Sequence, residues 1–138
     1  MTDAATDAPL SRLTVLVIED EPFTRTVVAR VVAKLGCATV LEAGDALTGL
    51  AILRARPVDL VLCDVDMKPV NGLELLRHLR TGDSEAERRL PLVFLTGRAD
   101  PEDVAVADTL GRTAFLVKPV QPELLRRAML RHLPGAAS

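Results

Sequence analysis

The feature that most constrains the fold is an alternation of short apolar runs with longer segments of helical periodicity. Five apolar runs occur, at residues 13–18, 38–41, 60–63, 91–95 and 114–117. A short apolar run bounded by turn residues is typical of a buried strand, and strands that alternate with helices form parallel sheets with right-handed crossovers. We therefore predict an α/β fold, a doubly wound five-stranded parallel sheet of strand order 2-1-3-4-5 with five helices.

The five helices are predicted between and after these strands. Their ranges are residues 22–35, 46–56, 73–80, 100–110 and 122–133, and residues 81–89 are predicted to be a polar connection. Proline in the first turn, acidic residues at the start and glycine at the end set several of these boundaries. Residues at helical spacing, among them Val27, Leu47 and Leu124, are expected to face the core.

Composition narrows the class of protein. The chain has 138 residues, of which 49% are apolar, and its aromatic residues are 3 Phe. This length suits one domain, which we place at residues 12–134, with a flexible tail at 1–11 and a second tail at 135–138. The net charge is −2 and there is no long run of like charge, which argues against a nucleic-acid module.

Neither secretion nor membrane insertion is indicated by the sequence. Cys37 and Cys63 form no disulfide framework and have no metal-ligand spacing. The N-terminal segment is acidic and lacks the apolar centre of a signal peptide. No apolar stretch reaches the ~20 residues that a membrane helix needs. We expect a cytoplasmic protein.

Polar residues stand at the carboxyl ends of four predicted strands. Glu19 and Asp20 follow the first strand, Asp64 ends the third, Thr96 the fourth, and Lys118 follows the fifth. In the order 2-1-3-4-5 the first and third strands are neighbours, so the three acids converge in one crevice. Carboxylates packed together repel each other unless a cation neutralises them, and oxygen ligands favour Mg²⁺ over zinc.

The hydroxyl of Thr96 and the ammonium of Lys118 are expected beside these acids, on the neighbouring strands. An acid, a hard cation, a hydroxyl and an ammonium are the groups needed to place an anionic phosphoryl group on a carboxylate. The pattern therefore indicates phosphoryl chemistry at Asp64.

These motifs, in this order and spacing, resemble the receiver domain of two-component response regulators, of the single-domain chemotaxis-regulator type. The similarity runs from about Leu13 to Leu133. The matching motifs are the acidic pair at 19–20, the strand LVLCDVDM at 60–67 with Gly72 after it, FLTG at 94–97 and FLVKP at 115–119. The resemblance implies a flavodoxin-like form of the predicted sheet.

The resemblance also implies the chemistry of the site. Asp64 is the phosphorylated residue by this resemblance, and Glu19, Asp20 and the main-chain carbonyl of Asp66 complete a Mg²⁺ site with it. Lys118 contacts the phosphoryl group. An Asp is more frequent than Glu at the first acidic position, and we expect the longer Glu19 to leave metal binding intact.

A conformational switch is implied as well. Thr96 and Phe115 form the switch pair of the family, and the small Gly97 leaves room for the Phe115 ring to turn inward. A partner surface is proposed on the last helix at Arg126 and Leu130, on the side opposite its core-facing residues.

Three further positions follow from the family pattern. Pro119 is placed for the cis peptide bond that usually follows this lysine, whereas Lys68 stands where the family usually has a proline, and Pro69 comes one place later. Asp66 and Arg98 flank the phosphoryl group in this family and tune its lifetime. Their opposite charges led us to expect a pair across the pocket mouth, which would shield Asp64 from water; unpaired, Asp66 would instead orient an attacking water.

By the resemblance, the chain is a phosphorylation-controlled binding module that catalyses only its own phosphorylation and dephosphorylation. Its expected phosphodonor is a sensor histidine kinase or a histidine phosphotransfer protein. No output domain follows Leu133 in the sequence, so we expect either a separate downstream effector or that the chain is a piece of a larger protein. Direct binding to nucleic acid or membrane is not expected, and the protein is a monomer or a phosphorylation-dependent dimer.

Two other functions match parts of the pattern. Asp64-Val65-Asp66 also matches the DxD nucleophile motif of haloacid dehalogenase-like phosphohydrolases, but that family carries the motif on its first strand and the acidic pair last, the reverse of the order here. A phosphate-independent adaptor with a degenerate pocket is disfavoured because the pocket residues are complete.

Overall fold

The computed structural model describes residues 10–132. Its five strands are β1 (Thr14–Ile18), β2 (Thr39–Ala43), β3 (Leu60–Asp64), β4 (Leu92–Thr96) and β5 (Thr113–Val117). They form one parallel sheet in the order β2-β1-β3-β4-β5. The predicted fold class, strand order and parallel pairing are confirmed.

The helices alternate with the strands as predicted, and one short helix is added. They are α1 (Pro22–Lys34), α2 (Ala46–Ala55), α3 (Gly72–Thr81), α4 (Glu85–Arg89), α5 (Pro101–Leu110) and α6 (Pro122–Arg131). Helix α4 lies in the segment predicted as a polar connection. The Ser84 hydroxyl accepts a hydrogen bond from the Glu87 N–H at 3.2 Å, and two acids precede two arginines, a charge order that suits the helix dipole.

The sheet carries a hydrophobic core on each of its faces. All five residues of β3 and all five of β4 are buried, which explains why these strands read as continuous apolar runs. Strands β2 and β5 lie at the edges, and most of their residues are only partly buried. Within residues 10–132, none of the helices combines the length and the apolar character that crossing a membrane requires.

Several predictions about burial were wrong. Val27, Leu47 and Leu124 were expected in the core, but they are 38%, 59% and 44% exposed. On each of these helices the buried apolar stripe is narrower than the sequence suggested, because the sheet covers only the centre of the helix's apolar face. Conversely, Leu130 was expected on an exposed partner surface and is partly buried against the core.

The described part of the chain also begins earlier than the predicted domain boundary. Leu10, assigned to the flexible tail, is fully buried in a 3₁₀ turn that spans Leu10–Arg12. Burying this side chain ties the turn to the core beside β1. The remaining tail residues, 1–9 and 135–138, and the predicted domain end at 133–134 lie outside the described residues.

Candidate functional site

The three acids converge at the carboxyl edge of the sheet as predicted. Strands β1 and β3 are adjacent, with Ile18 opposite Cys63, so Glu19 and Asp64 leave the two strands side by side. Carboxylate oxygens of Glu19, Asp20 and Asp64 all lie within 4.8 Å of one another. Glu19 and Asp64 are buried, at 3% and 7% exposure, whereas Asp20 is open to solvent.

Main-chain groups hold the two buried carboxylates in place. The Glu21 N–H donates to Glu19 Oε2 at 3.1 Å, and the Asp66 N–H donates to Asp64 Oδ1 at 3.2 Å. Each of these hydrogen bonds fixes the orientation of its carboxylate. The turns that follow β1 and β3 therefore position the carboxylates without help from a ligand.

Lys118 lies between the buried acids. Its Nζ is 2.6 Å from Glu19 Oε1 and 3.3 Å from Asp64 Oδ2. Burial alone would lower the pKa of Lys118, but the hydrogen bond to Glu19 and the charges of Asp64 and Glu19 outweigh it and raise the pKa above its ordinary value. Lys118 is therefore a fixed cation next to the Asp64 carboxylate. The Lys118–Pro119 peptide bond is cis, as the sequence predicted.

The charge of the cluster leaves room for a cation. The ammonium of Lys118 offsets one of the three carboxylate charges, and the pKa of Asp20 is raised, first by partial burial and then by the hydrogen bond and charge of Glu19. Carboxylate oxygens grouped at this spacing are ligands for a hard divalent ion. The residues Glu19, Asp20 and Asp64 thus fit a metal site.

The Thr96 side chain faces the loop that follows its own strand. Thr96 is 2% exposed, its hydroxyl donates to the Arg98 carbonyl at 2.8 Å, and the same oxygen accepts the Arg98 N–H at 3.2 Å. The Lys118 N–H donates to the Thr96 carbonyl at 2.7 Å, which ties the ends of β4 and β5 together. The structure therefore places Thr96 beside Lys118 with its hydroxyl proton already engaged.

Phe115 and Phe94 form an aromatic pair below this edge. Phe115 is partly buried, and its ring centroid lies 5.1 Å from that of Phe94 with the ring planes tilted by 32°. Sequence reasoning identified Phe115 but overlooked Phe94. No signal local to Phe94 in the sequence identifies it, because its place opposite Phe115 depends on the register of the β4–β5 pairing.

The expected pair between Asp66 and Arg98 is not formed. Both side chains are exposed, and residues 10–132 contain no ion pair between them. The charge of Asp66 instead contributes, after burial and the charge of Asp100, to a raised pKa at Asp103. Asp66 thus stands among acids at the pocket mouth, which is a correction to our expectation. The Lys68–Pro69 peptide bond of the same loop is cis.

The residues proposed as a partner surface lie apart from the acids, on α6. Arg126 is half-buried and donates two hydrogen bonds to Glu123, at 3.1 and 3.0 Å. Leu130 is partly covered by the core, as described above. The site and this surface are therefore separate features of the fold.

The doubly wound sheet carries clustered acids at its switch point, with a lysine beside them and a threonine at the end of the next strand. Residues 15–130 match the family model of the response regulator receiver domain. The chain belongs to this family and is a receiver domain of two-component signalling.

Solved structures agree with this assignment. The chemotaxis protein CheY4 of Vibrio cholerae superposes with a TM-score of 0.80 at 28% identity, covering 88% of this chain and 99% of that one. The receiver domain of the sensor histidine kinase PA1611 of Pseudomonas aeruginosa PAO1 gives a TM-score of 0.76 at 26% identity, covering 88% and 97%. That structure has a magnesium ion coordinated in its active-site cleft.

Sequence relatives include longer proteins. A probable cyclic di-GMP phosphodiesterase of Vibrio cholerae is 30% identical over 129 residues, which are 94% of this chain and 28% of the relative. The chain thus spans less than a third of that protein's length. The phosphohydrolase alternative built on the DxD motif is not favoured, because the matched family is the receiver domain.

Proposed function

We propose that Asp64 accepts a phosphoryl group from a phosphohistidine. An Asp64 carboxylate oxygen attacks the phosphorus, a P–O bond forms as the P–N bond breaks, and the electron pair of the broken bond stays on the imidazole nitrogen. The observation that supports this most directly is the ammonium of Lys118, held 3.3 Å from Asp64 Oδ2, where it offsets charge on the transferred group.

Mg²⁺ is the cation proposed for the acidic cluster. Glu19, Asp20 and Asp64 would hold it with side-chain oxygens, and the main-chain carbonyl of Asp66 would complete the set. When bound, the ion supplies positive charge that lowers the repulsion between the carboxylates and an incoming phosphoryl group. The residues of the chain supply the rest: Asp64 as nucleophile and Lys118 as a fixed countercharge.

Phosphorylation is proposed to change the face made by α5, β5 and α6. The Thr96 hydroxyl would exchange its hydrogen bond to the Arg98 carbonyl for one to a phosphoryl oxygen, and Phe115 would turn into the space released. A separate effector, or a second copy of the chain, would read this face, with Arg126 and Leu130 at its α6 side. Arg126 and the partly buried Leu130 would become available to the effector only when α6 moves.

The phosphodonor is proposed to be a sensor histidine kinase or a histidine phosphotransfer protein. Beside Lys118 lies a mainly apolar groove of about 410 Å³ lined by residues that include Phe23, Val27 and Pro119, and Phe23 is 75% exposed. A donor protein has to bring its histidine to Asp64 at this edge, so the groove adjoins its path. Phe23→Ser is therefore expected to slow transfer from the donor protein and to leave binding of beryllofluoride, a small phosphoryl mimic, unchanged.

The remaining properties follow from this role. The chain would act in the cytoplasm, bind neither nucleic acid nor membrane directly, and catalyse only its own phosphorylation and dephosphorylation. It would be a monomer, or a dimer when phosphorylated. Asp66 and Arg98 are proposed to tune the lifetime of the phosphorylated state.

The test is phosphotransfer from a panel of phosphorylated histidine kinases in Mg²⁺, followed by the mass shift of the chain. We expect one phosphoryl group on the wild type, none on Asp64→Asn, and a normal yield on Asp83→Asn, which removes an exposed acid outside the cluster. A label that persists on Asp64→Asn would contradict the assignment. Turnover of p-nitrophenyl phosphate would instead indicate a phosphohydrolase.

A further inference from the structure

A row of side chains crosses the sheet one step below the site. In the strand register Cys63 stands opposite Phe94, and Phe94 stands opposite Phe115. Cys63 and Phe94 belong to one buried core cluster, Phe115 packs against that cluster, and Phe94 is fully buried. The 5.1 Å ring contact between Phe94 and Phe115 is therefore part of this row.

Phe94 also lies on the same face of β4 as Thr96. Residues two apart in a strand point to the same side of the sheet, and both side chains are buried. Space vacated by Thr96, when its hydroxyl moves toward a phosphoryl group, therefore opens next to the Phe94 ring. Any inward turn of Phe115 has to slide past this ring.

The Phe94 ring also lies close to the start of α3. A Cβ atom added at Gly72 would lie 3.0 Å from Phe94 Cε1 and would overlap the carbonyl oxygen of Asp64. The Gly72 N–H donates to the Val65 carbonyl at 2.9 Å, which fixes this glycine against the turn after Asp64. The Phe94 ring thus lies close both to the backbone beside the phosphoacceptor and to the switch residue Phe115.

We propose that Phe94 is a positioning residue that holds Phe115 in its unphosphorylated position and so sets how strongly a phosphoryl group must act to turn it. The proposal rests on the proposed phosphorylation of Asp64 and the proposed switch role of Phe115. Turning Phe115 costs part of a tilted ring contact, and tilted or edge-to-face aromatic pairs add attraction beyond the area that they bury. The hydrogen bond from Thr96 to the phosphoryl group has to offset that cost.

The cost of turning Phe115 can be measured because it is thermodynamically linked to the affinity for a ligand that favours the turned position. If the ring contact stabilises the unphosphorylated arrangement, removing the contact lowers the cost of switching and must tighten the binding of any ligand that favours the switched state. Phe94→Leu keeps an apolar side chain but removes the ring. We expect it to lower the apparent Kd for beryllofluoride in Mg²⁺ by about threefold or more, the size of one aromatic contact.

The composition of the chain offers a direct probe. Because the sequence contains 3 Phe, fluorophenylalanine labelling gives one fluorine resonance each for Phe23, Phe94 and Phe115, assignable by single substitutions. In the wild type, beryllofluoride should shift the Phe115 resonance. In Phe94→Leu without beryllofluoride, that resonance should already be displaced toward its bound position.

Two further variants keep the test decisive. Val93→Ala removes apolar side-chain atoms from the neighbouring buried position of β4, which belongs to the core on the opposite face, and should leave both the Kd and the Phe115 resonance at their wild-type values. Phe115→Leu removes the same ring contact from the other side, so the double variant with Phe94→Leu should bind no more tightly than either single variant. If Phe94→Leu is partly unfolded, the Kd of Phe115→Leu alone tests the same ring contact and should also be lower than that of the wild type.

The possible failures are distinguishable. A wild-type protein that does not bind beryllofluoride in Mg²⁺ would overturn the proposed function itself. A wild-type protein that binds and shifts Phe115, together with a Phe94→Leu variant whose Kd and Phe115 resonance equal those of Val93→Ala, would overturn the positioning role of Phe94 alone.

Discussion

Strands β3 and β5 both end at the candidate site, yet they differ in how far their residues are exposed to solvent. Every residue of β3 is buried, including Asp64 at its end, whereas the residues of β5 are partly exposed and its last residue, Val117, is 54% exposed. Buried strands open only with global unfolding, while exposed edges open at lower cost. The reacting carboxylate is therefore fixed by the core, and the elements proposed to move are drawn from the edge.

Hydrogen bonding shows the same division. We call Glu19, Asp20, Asp64 and Lys118 the acidic half of the site, and Thr96 and Phe115 the switch half. In the acidic half, Glu19 and Asp64 already accept hydrogen bonds from main-chain N–H groups and face Lys118. In the switch half, the Thr96 hydroxyl is bound to the Arg98 carbonyl of its own loop. Phosphorylation can therefore use the first half as it stands, whereas the second half has to exchange one hydrogen bond for another.

The largest effect on stability is expected beside the acidic half, at Gly72, where the backbone is most closely packed. Gly72→Ala would press its methyl group onto the Asp64 carbonyl, a backbone atom that no side-chain rotation can clear. Overpacking of this kind typically costs about 1–3 kcal/mol of unfolding free energy. The measurement is the urea midpoint beside Gly97→Ala, whose added methyl group would meet nothing within 4 Å. Equal midpoints for the two variants would mean that the turn after Asp64 is not rigid.

The next effect concerns Mg²⁺ and the acidic cluster. Because three carboxylates lie within 4.8 Å of one another, Mg²⁺ should raise the thermal midpoint, by about 2–8 °C for each kcal/mol of binding linkage. Asp20→Asn should lose this gain and, in EDTA, be at least as stable as the wild type, since burial and Glu19 disfavour ionised Asp20. Asp83→Asn should keep the full gain. A Mg²⁺ response that survives in Asp20→Asn would remove Asp20 from the metal site.

A smaller but wider effect should mark the switch half. Beryllofluoride with Mg²⁺ should shift amide resonances over residues 97–110 and 115–127, because coupling between sites is typically worth about 1–3 kcal/mol and has to pass through Thr96 and Phe115. Thr96→Ala should confine the shifts to the loops at Asp20 and Asp64. The same confinement in the wild type would show that the two halves are not coupled.

The acidic half could be predicted from the sequence because the residue patterns that specify it are local in the chain. An apolar run that stops at an acid specifies both a buried strand and a carboxylate at its end, so Asp64 and its convergence with Glu19 followed from strand order alone. The contact between Phe94 and Phe115 did not follow, because it depends on the register of two strands distant in the chain. The exposure of Val27 and Leu47 was missed because helical periodicity gives the direction of an apolar stripe but not its width.

The smallest effect concerns the lifetime of the phosphorylated state. Here the sequence and the structure disagree on whether Asp66 and Arg98 form a pair. The sequence led us to expect that Arg98 occupies Asp66 and shields Asp64, so that Arg98→Ala would lose its phosphoryl group faster. In the structure both side chains are exposed and no ion pair joins them, and such a pair would contribute only ~0–1 kcal/mol. An unpaired Asp66, two places after the phosphoacceptor, is instead free to orient an attacking water. We therefore expect Arg98→Ala to lose its phosphoryl group at nearly the wild-type rate and Asp66→Asn to lose it several-fold more slowly, measured in Mg²⁺ after removal of the donor, with Asp83→Asn unchanged. Faster loss in Arg98→Ala would show that the pair forms once Asp64 is phosphorylated and that it shields Asp64 from water.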